Sequence, residues 1–319
     1  MRTPRPTPHG VAKGGKMTYT TGIEEKIPAR QQVSLARIMV ATDFSPVSNR
    51  ALDYAVSLAR RFGSQIYLTH VITYKGHGVM EPEPAAPAGE ELRRITHAQA
   101  QEVVDSGRLY GVPYEVVIEE GTLWPTLEGL LEKYKIDLLV LGTHGMRGSL
   151  KVLFGSSAEE IFRHAHLPVM TVGPVVKEEA PFEAEFKNIL FATDFGPGAE
   201  RQAAFALALA QEHRSKLILL HVIPHPDNAF DRDTILEREG ITHQLRELVP
   251  TGSEPLCKPE YHLAYGQPVE EILRVAKVTE ADLIVIGAKK RGRLAGHIPS
   301  TKAFGVVRGA RCPVLTLKS

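Results

Sequence analysis

The sequence predicts an α/β protein made of two tandem, doubly wound, five-stranded parallel sheets of Rossmann-like strand order 3-2-1-4-5, packed as a pseudo-dimer. Three observations predict this fold class. Short apolar, β-rich runs alternate with stretches of helical periodicity, the alternation occurs twice along the chain, and each half ends in an apolar strand. Such alternation requires a parallel sheet covered on both faces, and an unprotected edge strand favours pairing with another strand.

The first half contains five predicted strands with helices between them. A helix is predicted where Ala51, Leu52, Ala55 and Leu58 recur at helical spacing after Ser48, until Gly63 ends it. The strands are Ala36 to Ala41, Gln65 to Ile72, Tyr114 to Ile118, Asp137 to Leu141 and Pro168 to Val172, and the other helices are Glu90 to Tyr110, Gly121 to Tyr134 and the stretch after Ser157. Residues 75–89 are rich in Pro and Gly and could form a lid, but they lack an anchoring apolar pattern, which favours a loose excursion.

The second half restates the first. KNILFATDFGPG repeats the pattern of ARIMVATDFSPV, so that Asp194 corresponds to Asp43 and His221 to His70, with the same spacing in both pairs. The repeat predicts one domain duplicated, as residues 34–176 and 186–319, with residues 177–185 as an acidic, proline-containing linker. Residues 1–33 show no sustained apolar period and are predicted to be a disordered tail.

Composition limits the classes of partner. A net charge of +1 supplies no overall field for nucleic acid or for a membrane surface, so we expect neither partner. Cys257 and Cys312 belong to no metal-ligand spacing and are predicted to be free thiols in a reducing compartment. No apolar run approaches the ~20 residues of a membrane span, and the N-terminal sequence lacks the apolar core of a signal peptide. The sequence therefore predicts a cytoplasmic protein.

A glycine loop follows the predicted fourth strand and reads GTHGMRGSLKVLFGSSA from Gly142 to Ala158. Glycine permits positive φ angles and close approach of the main chain to a ligand, and a helix start binds phosphate readily. Ser156 with Glu159, and Ser157 with Glu160, fit a capping box. The loop has neither the GK[ST] of a P-loop nor the spacing of GxGxxG.

The loop resembles that of ATP-binding members of the universal stress protein family, which carry GxxG, nine residues, and then Gly followed by Ser or Thr. Gly142, Gly145, Gly155 and Ser156 match this pattern, and the resemblance covers nearly all of both halves. It implies a stress-response protein that binds ATP, with any Mg²⁺ carried by the nucleotide, and with no catalytic residue or protein metal site. It also implies pairing of the two domains through their fifth strands and allows a further homo-oligomer.

In a sheet of this order, ligands bind at the carboxyl ends of strands one and four, where Asp43 and Gly142 stand. The resemblance implies that Asp43 accepts hydrogen bonds from ribose, that the Val71 backbone contacts adenine, and that the loop and helix start bind phosphates. Arg147 and Lys151 could neutralise phosphate charge. The predicted nucleotide site comprises Ala41, Thr42, Asp43, Val71, Leu141, Gly142, Gly145, Arg147, Gly155, Ser156, Ser157 and Ala158.

Several of these and neighbouring residues also have structural interpretations. Asp43 could cap the following helix or hold the turn after it, and Ser156 could be only a cap. His144 lacks a visible carboxylate to orient it and is predicted to be a hydrogen-bonding spacer rather than an acid or base. The pair His70 and His221 is predicted to be structural, and Trp124 to pack at a helix start.

The leading hypothesis is an ATP-binding regulatory module for stress or energy state, and the alternative is a slow ATPase on the same fold. A relative of the ATP pyrophosphatases is disfavoured because ATDFSP stands where their SGG-type loop would be. A scaffold that binds no nucleotide is disfavoured by the intact first loop.

The glycine loop is degenerate in the second half, and a gap-free alignment gives the changes. Lys290 replaces Gly145, and Ser300 replaces Gly155. We therefore expect tight ATP binding in the first half alone. A rival hypothesis is that the basic run 289–291 makes a different anion site in the second half.

Overall fold

The structure is a computed structural model. It describes residues 33–73, 86–143, 155–176, 186–224, 232–250, 257–288 and 302–318. All but the last residue of the proposed tail, the linker and the middle of both glycine loops lie outside these ranges. In the first half the elements are β1 (Arg37–Ala41), α1 (Pro46–Phe62), β2 (Gln65–Ile72), α2 (Ala86–Asp105), β3 (Tyr114–Glu120), α3 (Leu123–Lys133), β4 (Leu138–Gly142), α4 (Ser156–His164) and β5 (Val169–Val172).

The second half repeats this order. Its elements are β6 (Asn188–Thr193), α5 (Ala199–His213), β7 (Lys216–Ile223), α6 (Arg232–Glu247), β8 (Lys258–Tyr265), α7 (Pro268–Val278), β9 (Leu283–Ala288), α8 (Lys302–Gly309) and β10 (Val314–Lys318). The predicted strands of the first half all occur, with bounds that differ by at most two residues. Helix α2 ends at Asp105 rather than Tyr110, because the chain turns there through Gly107 and Gly111, whose φ angles are 75° and 79°.

The ten strands form one sheet of order β3-β2-β1-β4-β5-β10-β9-β6-β7-β8. Each half has the predicted order 3-2-1-4-5 with parallel neighbours, so the predicted fold class is confirmed. The halves join where β5 and β10 pair antiparallel, with Leu315 opposite Met170. The predicted pairing of the fifth strands is therefore confirmed, and it covers two edges that would otherwise be open to other chains.

The hydrophobic core lies on both faces of the sheet, and on each face it runs across both halves. On one face the fully buried ring of Phe186 packs against Tyr54 of α1, with ring centroids 6.4 Å apart. On the other face Phe162 of α4 meets Phe304 of α8 at 6.2 Å. Lys318 Nζ also donates a hydrogen bond of 3.0 Å to the Phe162 carbonyl. The two halves thus share their cores, and each stabilises the other.

Candidate functional site

The turn after β1 is held by its own side chains. Phe44 has a φ of 60°, which is a left-handed conformation that costs free energy for a non-glycine residue. Thr42 Oγ1 accepts a 2.9 Å hydrogen bond from the Phe44 amide, and Asp43 Oδ1 accepts one of 3.1 Å from the Ser45 amide. The turn-holding role considered for Asp43 is therefore real. Among the described residues, its second oxygen, Oδ2, accepts no hydrogen bond.

Asp43 is not the cap of the following helix. Ser45 is the N-cap of α1, and its side chain accepts a 3.2 Å hydrogen bond from the Ser48 amide. Pro46 follows as the first helical residue, where its missing N–H costs nothing. The helix therefore begins earlier than its apolar period suggests, and it leaves the Asp43 carboxylate outside the helix at the carboxyl end of β1.

His70 of β2 packs against the strained turn after β1. Its Nδ1 lies 2.7 Å from the Thr42 carbonyl oxygen, and its ring stacks on Phe44 with centroids 5.1 Å apart. Burial lowers the pKa of His70, against the opposing effects of the Thr42 carbonyl and the Asp43 carboxylate, so the ring is neutral at pH 7 and Nδ1 donates. His221 makes the same contacts with Thr193 and Phe195 in the second half. The predicted structural role of both histidines is confirmed.

Gly142, at the end of β4, has a packing reason to be glycine. A Cβ atom there would lie 2.9 Å from the Ser48 amide nitrogen and 3.0 Å from the Val47 carbonyl carbon, both in the backbone of α1. Real Cβ atoms do not approach backbone this closely, so any other residue would push α1 away from β4. This requirement holds with or without a ligand, and the contact of Gly142 with phosphate stays a prediction.

A short hydrogen-bonded bridge brings the start of α4 to the end of β4. The Gly155 amide donates a 2.8 Å hydrogen bond to the Thr143 carbonyl, and the Thr143 amide donates one of 3.0 Å to Val172 in β5. The first turn of α4 therefore stands at the carboxyl end of the sheet, beside the strand that borders β1. The partial positive charge at a helix start favours a bound anion.

The capping box predicted at the start of α4 is wrong. Gly155 is the N-cap, with φ −61° and ψ 143°, and Ser156 is the first helical residue. The Gly155 carbonyl accepts the hydrogen bond from the Glu159 amide, so the helix begins one residue earlier than the serine pattern indicates. The φ angle of Gly155 is also open to every residue. A strained backbone therefore gives no reason for glycine here, although glycine is among the residues favoured at an N-cap.

The structure thus collects most of the predicted site residues at one edge of the sheet. Ala41 lies opposite Leu141 across β1 and β4, and opposite Thr69 in β2. Leu141 and Ala158 are buried in the core on the α4 face, whereas Ser156 and Ser157 are exposed. Of the twelve predicted residues, Gly145 and Arg147 lie outside the described part of the chain, as do His144 and Lys151. Trp124 is buried in the first turn of α3, as predicted.

The second half has a corresponding crevice with different polar groups. It contains a cavity of ≈ 60 Å³ lined by apolar strand and helix residues together with Asp194, Gln202 and Lys302. Sequence reasoning missed Gln202 and Lys302. The signal that could have found them is the repeat itself, because Gln202 stands where the first half has Ala51, and Lys302 stands where it has Ser157.

The sequence also predicted the state of the two thiols and the lack of a membrane-spanning segment. Cys257 and Cys312 are both buried and form no disulfide with each other, so the predicted free thiols are confirmed. Burial raises the pKa of the Cys312 thiol to about 12, which keeps it protonated and unreactive. Within the described ranges, no helix is both long enough and apolar enough to cross a membrane.

The duplicated 3-2-1-4-5 sheet, with its crevice at the carboxyl ends of the central strands, defines a tandem α/β protein of the Rossmann-like class. The model of the Universal stress protein family matches residues 35–173 and 185–318. The chain belongs to the universal stress protein family, as the resemblance of the loop predicted.

Individual relatives agree with this assignment. A universal stress protein of Mycolicibacterium smegmatis is 25% identical over 299 residues, which are 88% of this chain and 96% of that protein. A universal stress protein of Methanocaldococcus jannaschii is 30% identical over 146 residues, which are 44% of this chain and 84% of that protein. The crystal structure of a universal stress protein from Archaeoglobus fulgidus has the same fold, with a TM-score of 0.65 at 20% identity, and the match covers 88% of this chain and 96% of that one.

Proposed function

We propose that the protein binds one molecule of ATP, in the crevice of the first half, and acts as a regulatory module that responds to stress or to the energy state of the cell. The nucleotide would lie at the carboxyl ends of β1 and β4, with Asp43 at the ribose and the start of α4 at the phosphates. We place the protein in the cytoplasm, where ATP brings any Mg²⁺ with it.

One observation carries the proposal. The hydrogen bond from Gly155 to Thr143 holds the start of α4 at the end of β4, and β4 borders the strand that delivers Asp43. A helix start, which favours anions, and the Asp43 carboxylate, whose Oδ2 accepts no hydrogen bond from the described residues, thus stand at the same sheet edge. A phosphorylated sugar offers the matching groups, because its phosphates accept hydrogen bonds and its hydroxyls donate them.

Gly155 supplies further support. Its backbone conformation, with φ −61°, suits any residue, so local strain does not explain the glycine. A phosphate packed against the main chain would explain it, because a Cβ would then occupy ligand space. Ser156 and Ser157 follow in the first helical turn and are exposed, as ligand-binding side chains must be in the free protein.

Titration calorimetry with ATP tests the proposal on the full chain, with Asp43→Ala and Asp194→Ala as a matched pair. The two aspartates occupy the same turn of the repeat, and each accepts a hydrogen bond from an amide two residues on. We expect one tight site per chain, lost in Asp43→Ala and retained in Asp194→Ala. Equal binding by all three proteins would contradict the proposal. Phosphate release measured on the same samples separates binding from the slow ATPase alternative.

A further inference from the structure

The crevices of the two halves differ in how the helix after their first strand begins. In the first half, α1 starts at Pro46 under the Ser45 cap. In the second half, Gly196 stands in place of Ser45 and offers no capping hydroxyl. Helix α5 starts only at Ala199, the counterpart of Ser48, after Gly198 turns the chain with φ 85°. The helix therefore begins two residues later in the second crevice than in the first.

Gln202 packs at the position that the start of α1 takes in the first half. In the first half, the backbone of Val47 and Ser48 packs on Gly142. In the second half, the Gln202 amide lies over Gly287, so close that an added Cβ would stand 2.4 Å from its Oε1. Gln202 is buried, and its Nε2 donates a 3.4 Å hydrogen bond to the Leu317 carbonyl of β10. The amide is thus a fixed part of the crevice wall, anchored on the strand that joins the halves.

Lys302 supplies the second difference. It is the first residue of α8, and its Nζ lies 3.9 Å from Asp194 Oδ2. In the first half the counterpart of Lys302 is Ser157, and the Asp43 Oδ2 atom accepts no hydrogen bond from a described residue. Both side chains of the pair are about half exposed, so the pair contributes little to folding stability. What the pair affects is which ligand can enter the space beside Asp194.

We propose that the Lys302 side chain itself occupies the ligand position of the second crevice. Its ammonium takes the place beside Asp194 that a ribose hydroxyl would take beside Asp43, and with Gln202 it leaves a cavity of only ≈ 60 Å³. A cavity of that size holds a few water molecules. Lys302 thereby determines which half accepts nucleotide, independently of the changed glycine loop. The inference rests on the proposed nucleotide site of the first half.

Coulombic attraction alone predicts the opposite effect of a lysine in this position on ATP affinity. A positive charge in the first helical turn, near phosphates, should strengthen the binding of a polyanion such as ATP. An internal counter-ion should weaken it, because the lysine must leave the aspartate before ribose can bind there. Whether the lysine strengthens or weakens ATP binding therefore distinguishes charge attraction from an internal counter-ion.

The test transplants the lysine into the first half. Ser157→Lys and Ser157→Gln both remove the serine hydroxyl and add a side chain of comparable length, so their comparison isolates the charge. We expect ATP to bind Ser157→Lys at least tenfold more weakly than Ser157→Gln in calorimetric titrations of folded, full-length protein. Equal affinity, or tighter binding by Ser157→Lys, would overturn the proposal.

The wild-type titration in the same series separates this inference from the proposed function. If the wild-type chain binds no ATP, the proposed function itself fails. If the wild type binds ATP and the two Ser157 variants bind it equally, only the role of Lys302 fails. Circular dichroism of both variants establishes that any loss is not a loss of fold.

Discussion

A partly buried histidine between the two halves makes the stability of the protein depend on pH. His213, at the end of α5, lies against Phe62 of α1 and against Phe186, with ring centroids 6.3 Å and 5.0 Å away. Its Nε2 is buried, and no atom of the described ranges forms a hydrogen bond with it. Burial, reinforced by the nearby positive charge of Arg61 and opposed by Glu212, lowers the pKa of His213 to about 4. A charge on this ring would have to be carried inside an aromatic cluster.

The sign and size of the effect follow from linkage. The unfolded chain takes up the His213 proton near the ordinary pKa of 6.5, whereas the folded protein takes it up only near 4. Acid therefore favours the unfolded state, and stability falls as the pH drops below about 6.5, levelling off below about 4. Between about pH 7.5 and about pH 5, His213 should cost about 2 kcal/mol, from a full difference of about 3 kcal/mol.

Urea unfolding of the full chain at these two pH values, followed by the fluorescence of Trp124, measures the effect. His213→Gln is the comparison, because its amide is polar but does not titrate. We expect the free energy of unfolding of the wild type to fall about 2 kcal/mol further than that of the variant on going to the lower pH. The lowered pKa values of His70 and His221 act in both proteins and cancel. Equal falls in the two proteins would refute the reasoning.

Three further predictions concern the shared core, the loop and the pairing of the halves. Phe186→Ala should lower the free energy of unfolding by about 3–5 kcal/mol in the same urea assay, because the buried ring leaves a cavity between the halves. Gly155→Ala should lower the thermal unfolding midpoint only slightly, since its φ of −61° suits alanine and only the N-cap preference for glycine is lost, yet weaken ATP binding measured by calorimetry. Residues 34–176 expressed alone should self-associate in sedimentation experiments, because β5 loses its partner β10; a stable monomer would contradict this.

The fold was predictable because its signals are local and repeated. Apolar runs marked the strands, the duplication fixed the two halves, and the apolar fifth strands indicated where they join. The proposed domain boundaries, 34–176 and 186–319, stay predictions. The starts of helices were less predictable. Gly155 rather than Ser156 caps α4, because the N-cap is the residue at which the chain leaves its extended conformation, and the serine pattern does not fix that point.

The details of the candidate site depended on contacts that periodicity does not encode. Gly142 suggested a phosphate contact, but its missing Cβ makes room for the backbone of α1, which comes from a distant part of the sequence. Gln202 and Lys302 are ordinary residues at helix positions, and only the fold brings them to the second crevice. His213 likewise acquires its low pKa from rings contributed by both halves.

The central claim is that one half of this duplicated chain binds ATP and the other does not. Native mass spectrometry of the full-length protein equilibrated with ATP counts the bound nucleotides directly. The account predicts a chain that carries one ATP at saturation, and none after Asp43→Ala. A wild-type chain that carries two, or one whose single ATP survives Asp43→Ala and disappears with Asp194→Ala, would contradict it.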